Sequence, residues 1–180
     1  KAEEFHRESA RQADKLFTKA LRENPHKEVI LLSGGTASGK TEFLATQLSK
    51  KDCIIMDATL ATELGAKNKI RQIIKSGKIP IIYLVMPDDL KRAFIAFLNR
   101  DRKFSNTHFY KTHAGSRKTI LWVAENYSDI KIHIIESSYD VTGKIQFDEI
   151  IFTNKQEFVN HISGLQLTED AIIRLVNLKE

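Results

Sequence analysis

The stretch "VILLSGGTASGKTEFL", residues 29–44, decides the fold. Val29–Leu32 is a four-residue apolar run and reads as a short buried strand. Lys40 to about Leu48 reads as a helix. Between them, Gly34–Thr41 fits G-x-x-x-x-G-K-[ST], a phosphate-binding loop in its confirming context of strand, loop and helix. Glycine lets a backbone fold round a phosphate without a Cβ clash, and the helix N-terminus adds the positive end of its dipole. In such a loop Lys40 reaches the β- and γ-phosphates, and the Thr41 hydroxyl ligates Mg²⁺. Gly34, Gly35, Thr36, Ala37, Ser38, Gly39, Lys40 and Thr41 are therefore the expected ATP-binding set, with Thr41 the expected metal contact. A glycine turn that merely joined strand to helix would not require both Lys40 and Thr41.

Outward from the loop, strands and helices alternate. "CIIM", Cys53–Met56, reads as a second strand ending at Asp57, and a helix follows from about Ala66 to Lys75 with Ile70, Ile73 and Ile74 on its apolar face. Ile79–Met86 is apolar nearly throughout, as a central parallel strand should be. Asp88 or Asp89 opens a helix through about Leu98. Residues 101–115 read as polar, basic and irregular, Ser116–Asn126 as helix, and Ile130–Ile135 as a fourth strand. "YDVTGKIQFDEI" predicts a hairpin or extended loop turning at Thr142-Gly143, followed by two closing helices, the second capped by Thr168. Upstream, residues 2–23 predict a helix with Phe5, Leu16, Phe17, Ala20 and Leu21 near one face, ended by Asn24-Pro25. The whole predicts an α/β three-layer sandwich with a mainly parallel sheet of P-loop NTPase/kinase type. An N-terminal helical extension would cover 1–26 and the kinase-like domain 27–180.

At 180 residues the chain suits one domain with a proper core. Cys53 is the only cysteine, so no disulfide forms within the chain; this fits a reducing compartment and an expected cytoplasmic location. The longest apolar run is far too short to span a bilayer, so no membrane partner is expected. No signal-peptide pattern is present. A chain that opens on Lys1 rather than Met is expected to be a piece of something longer, or a trimmed one.

Charge is unevenly placed. Lys91–Lys118 holds eight basic residues and one acid, a local +7 against +5 for the whole chain, which leaves −2 elsewhere. Such an excess suits a polyanion: a triphosphate, a phosphorylated substrate or nucleic acid. Aromatics in the segment are sparse, and Phe94 and Phe97 are expected in the core, which argues against an RNA-stacking platform. Within this segment, residues 99–116 are expected to form a mobile lid, open without ligand, with Ser105, Asn106 and Gly115 as flexible points. His108 and His113 lie in the irregular part and are expected to be polar surface; no Cys or third His supports a zinc site.

Among phosphate-loop proteins, GTPases carry an N-K-x-D-like motif that is not evident here. Motor ATPases end an apolar strand in D-E, whereas "QFDEI" at 146–150 is poorly apolar on its N-terminal side. Small-molecule kinases are about this size and carry an acid after the phosphate-loop helix and arginines later. Here "CIIMD" supplies Asp57, and "RAFIAFLNRDRK" supplies Arg92, Arg100 and Arg102. Asp57 either accepts the proton of an attacking hydroxyl or holds Mg²⁺ through water. Arg100 and Arg102 are candidates to stabilise charge on the transferring phosphoryl group.

From "VILLSGGTASGKTEFL" through "CIIMDATL" and "IRQIIKSGKIPIIYLVMPDDLKRAFIAFLNRDRK" to "THFYKTHAGSRKTILWVAENYSDIKIHIIESS", the chain resembles the zeta toxin family of P-loop kinases. The resemblance covers roughly Val29–Ser138. It implies transfer of a phosphoryl group from ATP, with Mg²⁺, to a small-molecule hydroxyl, in the best-known branch that of a nucleotide sugar. It assigns Lys40 and Thr41 to ATP and Mg²⁺, makes Asp57 the base or a substrate-binding acid, and makes Arg100 and Arg102 lid arginines. Thr59 would contact substrate. An inhibitory, antitoxin-like protein is the implied partner. The alternatives are a nucleoside kinase and a nucleotide-binding regulatory module of a larger protein.

Overall fold

A computed structural model describes residues 2–101 and 104–177. Five strands, Glu28–Ser33 (β1), Ile54–Thr59 (β2), Ile79–Pro87 (β3), Lys131–Tyr139 (β4) and Ile145–Ile150 (β5), form one sheet in the order β2-β1-β3-β4-β5. The first three pairings are parallel and β4–β5 is antiparallel. The sheet is thus mainly parallel, with the "YDVTGKIQFDEI" segment as a hairpin. That hairpin turns where Asp140 accepts from the Thr142 and Lys144 N–H groups.

Burial alternates along the central strands and divides the core in two. Val29, Leu31, Ile82, Leu84, Met86 and Ile134 face one side. There they meet helices Ala2–Glu23 (α1), Glu63–Lys75 (α3), Asn106–Asn126 (α5) and Lys155–Gly164 (α6). Ile30, Leu32, Tyr83, Val85 and Ile135 face the other side, covered by Phe43 and Leu48 of the helix that follows the loop. That helix runs Lys40–Phe43 (α2) and continues as a π-helical turn over Leu44–Leu48. The three layers are therefore unequal. A third cluster joins Leu90–Leu98 (α4), the first turns of α5 and Glu169–Asn177 (α7) through Phe94, Phe97, Phe109 and Ile172.

Several expectations shift. The second strand runs to Thr59, so Asp57 lies within it, beside Leu32 of β1. Asp89, not Asp88, caps α4, accepting from the Arg92 N–H. In α1 Phe17 and Leu21 are buried, but Leu16 is exposed; in α3 Ile74 is exposed. The expectation for Phe5 lies outside the described side chains.

The largest correction concerns the expected lid. Residues 106–126 form one continuous helix, with Phe109, Tyr110, Thr112, His113 and Ser116 all buried. Gly115 is no flexible point. A Cβ there would come inside 3.0 Å of the Ala61 carbonyl oxygen, so glycine is what lets α5 lie against the segment after β2. No helix among the described residues is long and apolar enough to cross a membrane.

Candidate active site

The loop after β1 folds back on itself at two glycines with positive φ, Gly34 and Gly39. A Cβ on Gly34 would come inside 3.0 Å of the Val85 carbonyl oxygen, and one on Gly35 would enter the His113 ring. These are the reasons glycine is needed at each position. Three non-glycine residues among those described also have left-handed backbone: Ala37 in the loop, and Thr59 and Leu60 just beyond it. Strain of this kind concentrates at functional sites and persists where surrounding contacts hold it. Those contacts are present. Thr59 O accepts from the Gly34 N–H at 3.1 Å and from Ser33 Oγ at 2.9 Å.

Lys40 opens α2 and turns its side chain back over the loop. Its Nζ donates to Gly34 O at 2.6 Å and to Gly35 O at 3.3 Å. It lies 3.9 Å from Asp57 Oδ1, with side chains 10% and 48% exposed. Burial lowers the Lys40 pKa, Asp57 opposes this, and Arg100 adds to it. The loop, Asp57, Thr59 and Arg100 ring a polar cavity of about 260 Å³. Asp57 and Thr59 also line a neighbouring cavity of about 520 Å³, walled by Ser9, Ala13 and Asp14 of α1. His108 and Thr112 line both. An ion pair of Asp14 with Lys69 of α3 ties the α1 wall down.

Of the expected residues, Thr36, Ala37, Ser38, Gly39, Lys40, Thr41, Asp57, Thr59 and Arg100 come together around one cavity, and Gly34 and Gly35 do not line it. Arg100 lies beyond the end of α4, and its Nη1 is 3.4 Å from Thr36 Oγ1. Arg102 lies outside the described residues. Arg92 is elsewhere, paired with Asp88 and lying over the Tyr139 ring.

Sequence reasoning missed the grip of α5 on the loop. Thr112 Oγ1 accepts from the Thr36 N–H at 3.1 Å, and His113 Nε2 lies 2.8 Å from Thr36 O. Thr36 is thus held at three atoms by Thr112, His113 and Arg100. His113 is not polar surface, as expected, but 2% exposed. A carbonyl oxygen only accepts, so Nε2 carries a proton. Burial is the main reason its pKa falls to about 3; the bond to Thr36 works against that fall, and Arg117 and Lys40 add to it.

A stability prediction follows. His113 binds a proton below about pH 6.5 when unfolded, but only near pH 3 when folded. Its contribution is complete above pH 6.5 and is lost as the pH falls towards 3. Between pH 7 and 4.5 the wild type should lose about 2 kcal/mol more than His113→Gln, which keeps a donor for Thr36. Urea unfolding of both proteins at the two pH values checks this. Equal losses would remove His113 from the account.

No family model matches the chain, and no curated protein matches it. Solved structures do. A chain of the AvrRxo1-ORF1:AvrRxo1-ORF2 complex crystallised with sulphate ions is 13% identical, at a TM-score of 0.58, over 93% of this chain and 73% of that one. The same complex with ATP gives 12% identity and 0.58 over the same shares. Its native form gives 12% and 0.55, over 89% and 72%. At these identities the similarity shows the fold alone, an α/β sandwich on a mainly parallel sheet.

Proposed function

We propose that the chain is an ATP-dependent phosphotransferase of zeta toxin type, which moves the γ-phosphoryl group to a hydroxyl of a small molecule. The observation that carries this is the meeting of two cavities at Asp57 and Thr59, with Lys40 Nζ 3.9 Å from Asp57. A module that only senses nucleotide needs the loop cavity alone. A second cavity opening on the same carboxylate gives an acceptor somewhere to sit. The ATP-bound neighbour of the same fold supports ATP as the donor.

In this reading the loop and the N-terminus of α2 hold the phosphates, and Lys40 exchanges its loop carbonyls for phosphate oxygens. Asp57 takes the proton of the acceptor hydroxyl as the new P–O bond forms and the bond to the ADP oxygen breaks. Arg100, beside Thr36, meets charge that develops on the transferring group. The described residues contain no cluster of three metal-ligating side chains. Magnesium is commonly held by few side chains together with substrate phosphates, and in this reading Thr41, which lines the loop cavity, would contribute the protein ligand. When bound, the ion supplies neutralisation of phosphate charge. The resemblance points to a nucleotide sugar as acceptor. It also points to an inhibitory antitoxin-like partner, a reading supported by neighbours crystallised as two-protein complexes.

The test is ADP release with a library of nucleotide sugars, nucleosides and other hydroxyl compounds. Acceptor-dependent release should fall by about a hundredfold or more in Asp57→Asn, with ATP affinity nearly kept. No turnover with any acceptor, alongside tight ATP binding, would support a regulatory module instead.

A further inference from the structure

A separate cavity of about 550 Å³ lies at the C-terminal ends of β3 and β4, on the sheet face that carries α5 and α6. It shares no lining residue with the phosphate-loop cavity. Met86, Leu90, Ile150, Leu165, Leu167 and Leu175 give it apolar walls. Among its polar lining side chains, Arg117 of α5 and His161 of α6 each have a buried nitrogen with no hydrogen-bond partner, Nε and Nε2 respectively.

Arg117 is 5% exposed. One arm is used, since Nη1 donates to Leu165 O at 2.9 Å. A carbonyl dipole does not neutralise a full charge, and among the described residues no carboxylate lies within ion-pair distance of the guanidinium. Burial alone lowers its pKa, with no acid working against it. Charges this deep are ordinarily paired, and buried N–H groups ordinarily have acceptors. Neither the loop chemistry nor the acceptor cavity uses this residue.

We infer that this cavity is a second ligand site, which takes a small monoanionic carboxylate with an apolar body, its carboxylate on Arg117 and its body against the leucine-rich walls. A planar carboxylate matches the guanidinium fork, and its second oxygen lies open to a donor such as His161. Apolar walls with a few convergent polar groups are the usual make-up of small-molecule pockets. The lining also disfavours more highly charged ligands: Asp88, Asp89 and Glu136 stand in it against Lys91 and Arg117, so a phosphate dianion would meet more carboxylates than cations. An uncharged ligand would leave the charge of Arg117 unmatched.

The experiment is ligand-observed saturation-transfer NMR on the full chain, with 4-methylpentanoate, its amide and inorganic phosphate as probes. The carboxylate should bind saturably in the low-millimolar range. The amide and phosphate should each bind at least about tenfold more weakly. Arg117→Met should weaken the carboxylate by a similar factor and abolish its preference over the amide. Should that variant not fold, as far-UV circular dichroism would reveal, Leu90→Trp decides: it narrows the cavity at a half-buried position, keeps the guanidinium, and should block the carboxylate. Lys40→Ala should leave carboxylate binding unchanged. Equal affinity for carboxylate and amide, no saturable binding of the carboxylate, or its displacement by ATP would each overturn the inference.

Discussion

Replacing Lys40 with alanine is expected to lower phosphoryl transfer by about a hundred- to a thousandfold, the usual cost of losing one preorganised charge at a reacting centre. Lys40 already lies where it is needed: 10% exposed, folded over the loop and facing Asp57. An ammonium is a compact point charge, and alanine leaves nothing to meet the β- and γ-phosphates. The fold should tolerate the change, because the side chain donates only to the loop's own carbonyls. Steady-state ADP release gives the first readout, and calorimetric titration of ATP with Mg²⁺ gives the second. Wild-type ATP affinity in Lys40→Ala would sink the phosphate-loop reading altogether.

Gly34→Ala is expected to be the most destabilising single methyl group in the loop. Two costs add. A φ of 139° is a backbone conformation that residues with a Cβ rarely adopt, and the new Cβ would press on the Val85 carbonyl of β3, a central strand that cannot retreat. Together they should cost about 3 kcal/mol or more, a fall of roughly 6–12 °C in Tm for a chain of this size. Gly77→Ala is the control. It too has positive φ, but nothing lies within 4 Å of its Cβ position, so it should cost only about 1 kcal/mol. Equal shifts in thermal unfolding of the two variants would show that contact with Val85 has no part in holding the loop.

The contrast between α2 and α5 shows what the sequence made legible. The strand, loop and helix at 29–48 could be read because an apolar run, three glycines and Lys40-Thr41 each have one structural explanation. The third strand could be read because it is buried on both faces and therefore uniformly apolar. The first half of α5 could not. It packs against a polar loop, so the residues it buries include Thr112, His113, Ser116 and Arg117, and the apolar period of 3.6 disappears. A buried helix of this kind looks like a basic loop until its partner is known. For the same reason His113 passed for surface, although a histidine and threonine side by side, opposite a glycine pair, were the only trace of the clamp. At β2 the misplaced end is smaller in cause. Thr59 ends the strand with left-handed backbone, and the ladder to β1 is interrupted by a shift in register between Leu32 and Ser33.

The phosphate loop is written in eight consecutive residues, yet little that shapes it is local. Ser33 is tied to Thr59, 26 residues on; Thr36 to Thr112 and His113, 76 and 77 residues on; and Ser38 O to Ser137 Oγ, 99 residues on. Contacts of that span cost more loop-closure entropy than local ones, and those to Thr112, His113 and Ser137 need α5 and β4 in place. The motif is therefore expected to be completed late in folding rather than to nucleate it. A fragment ending after α3 would carry every residue of the signature and lack the shape. Anything that binds the finished loop binds only the finished protein, and so draws the folding equilibrium towards it.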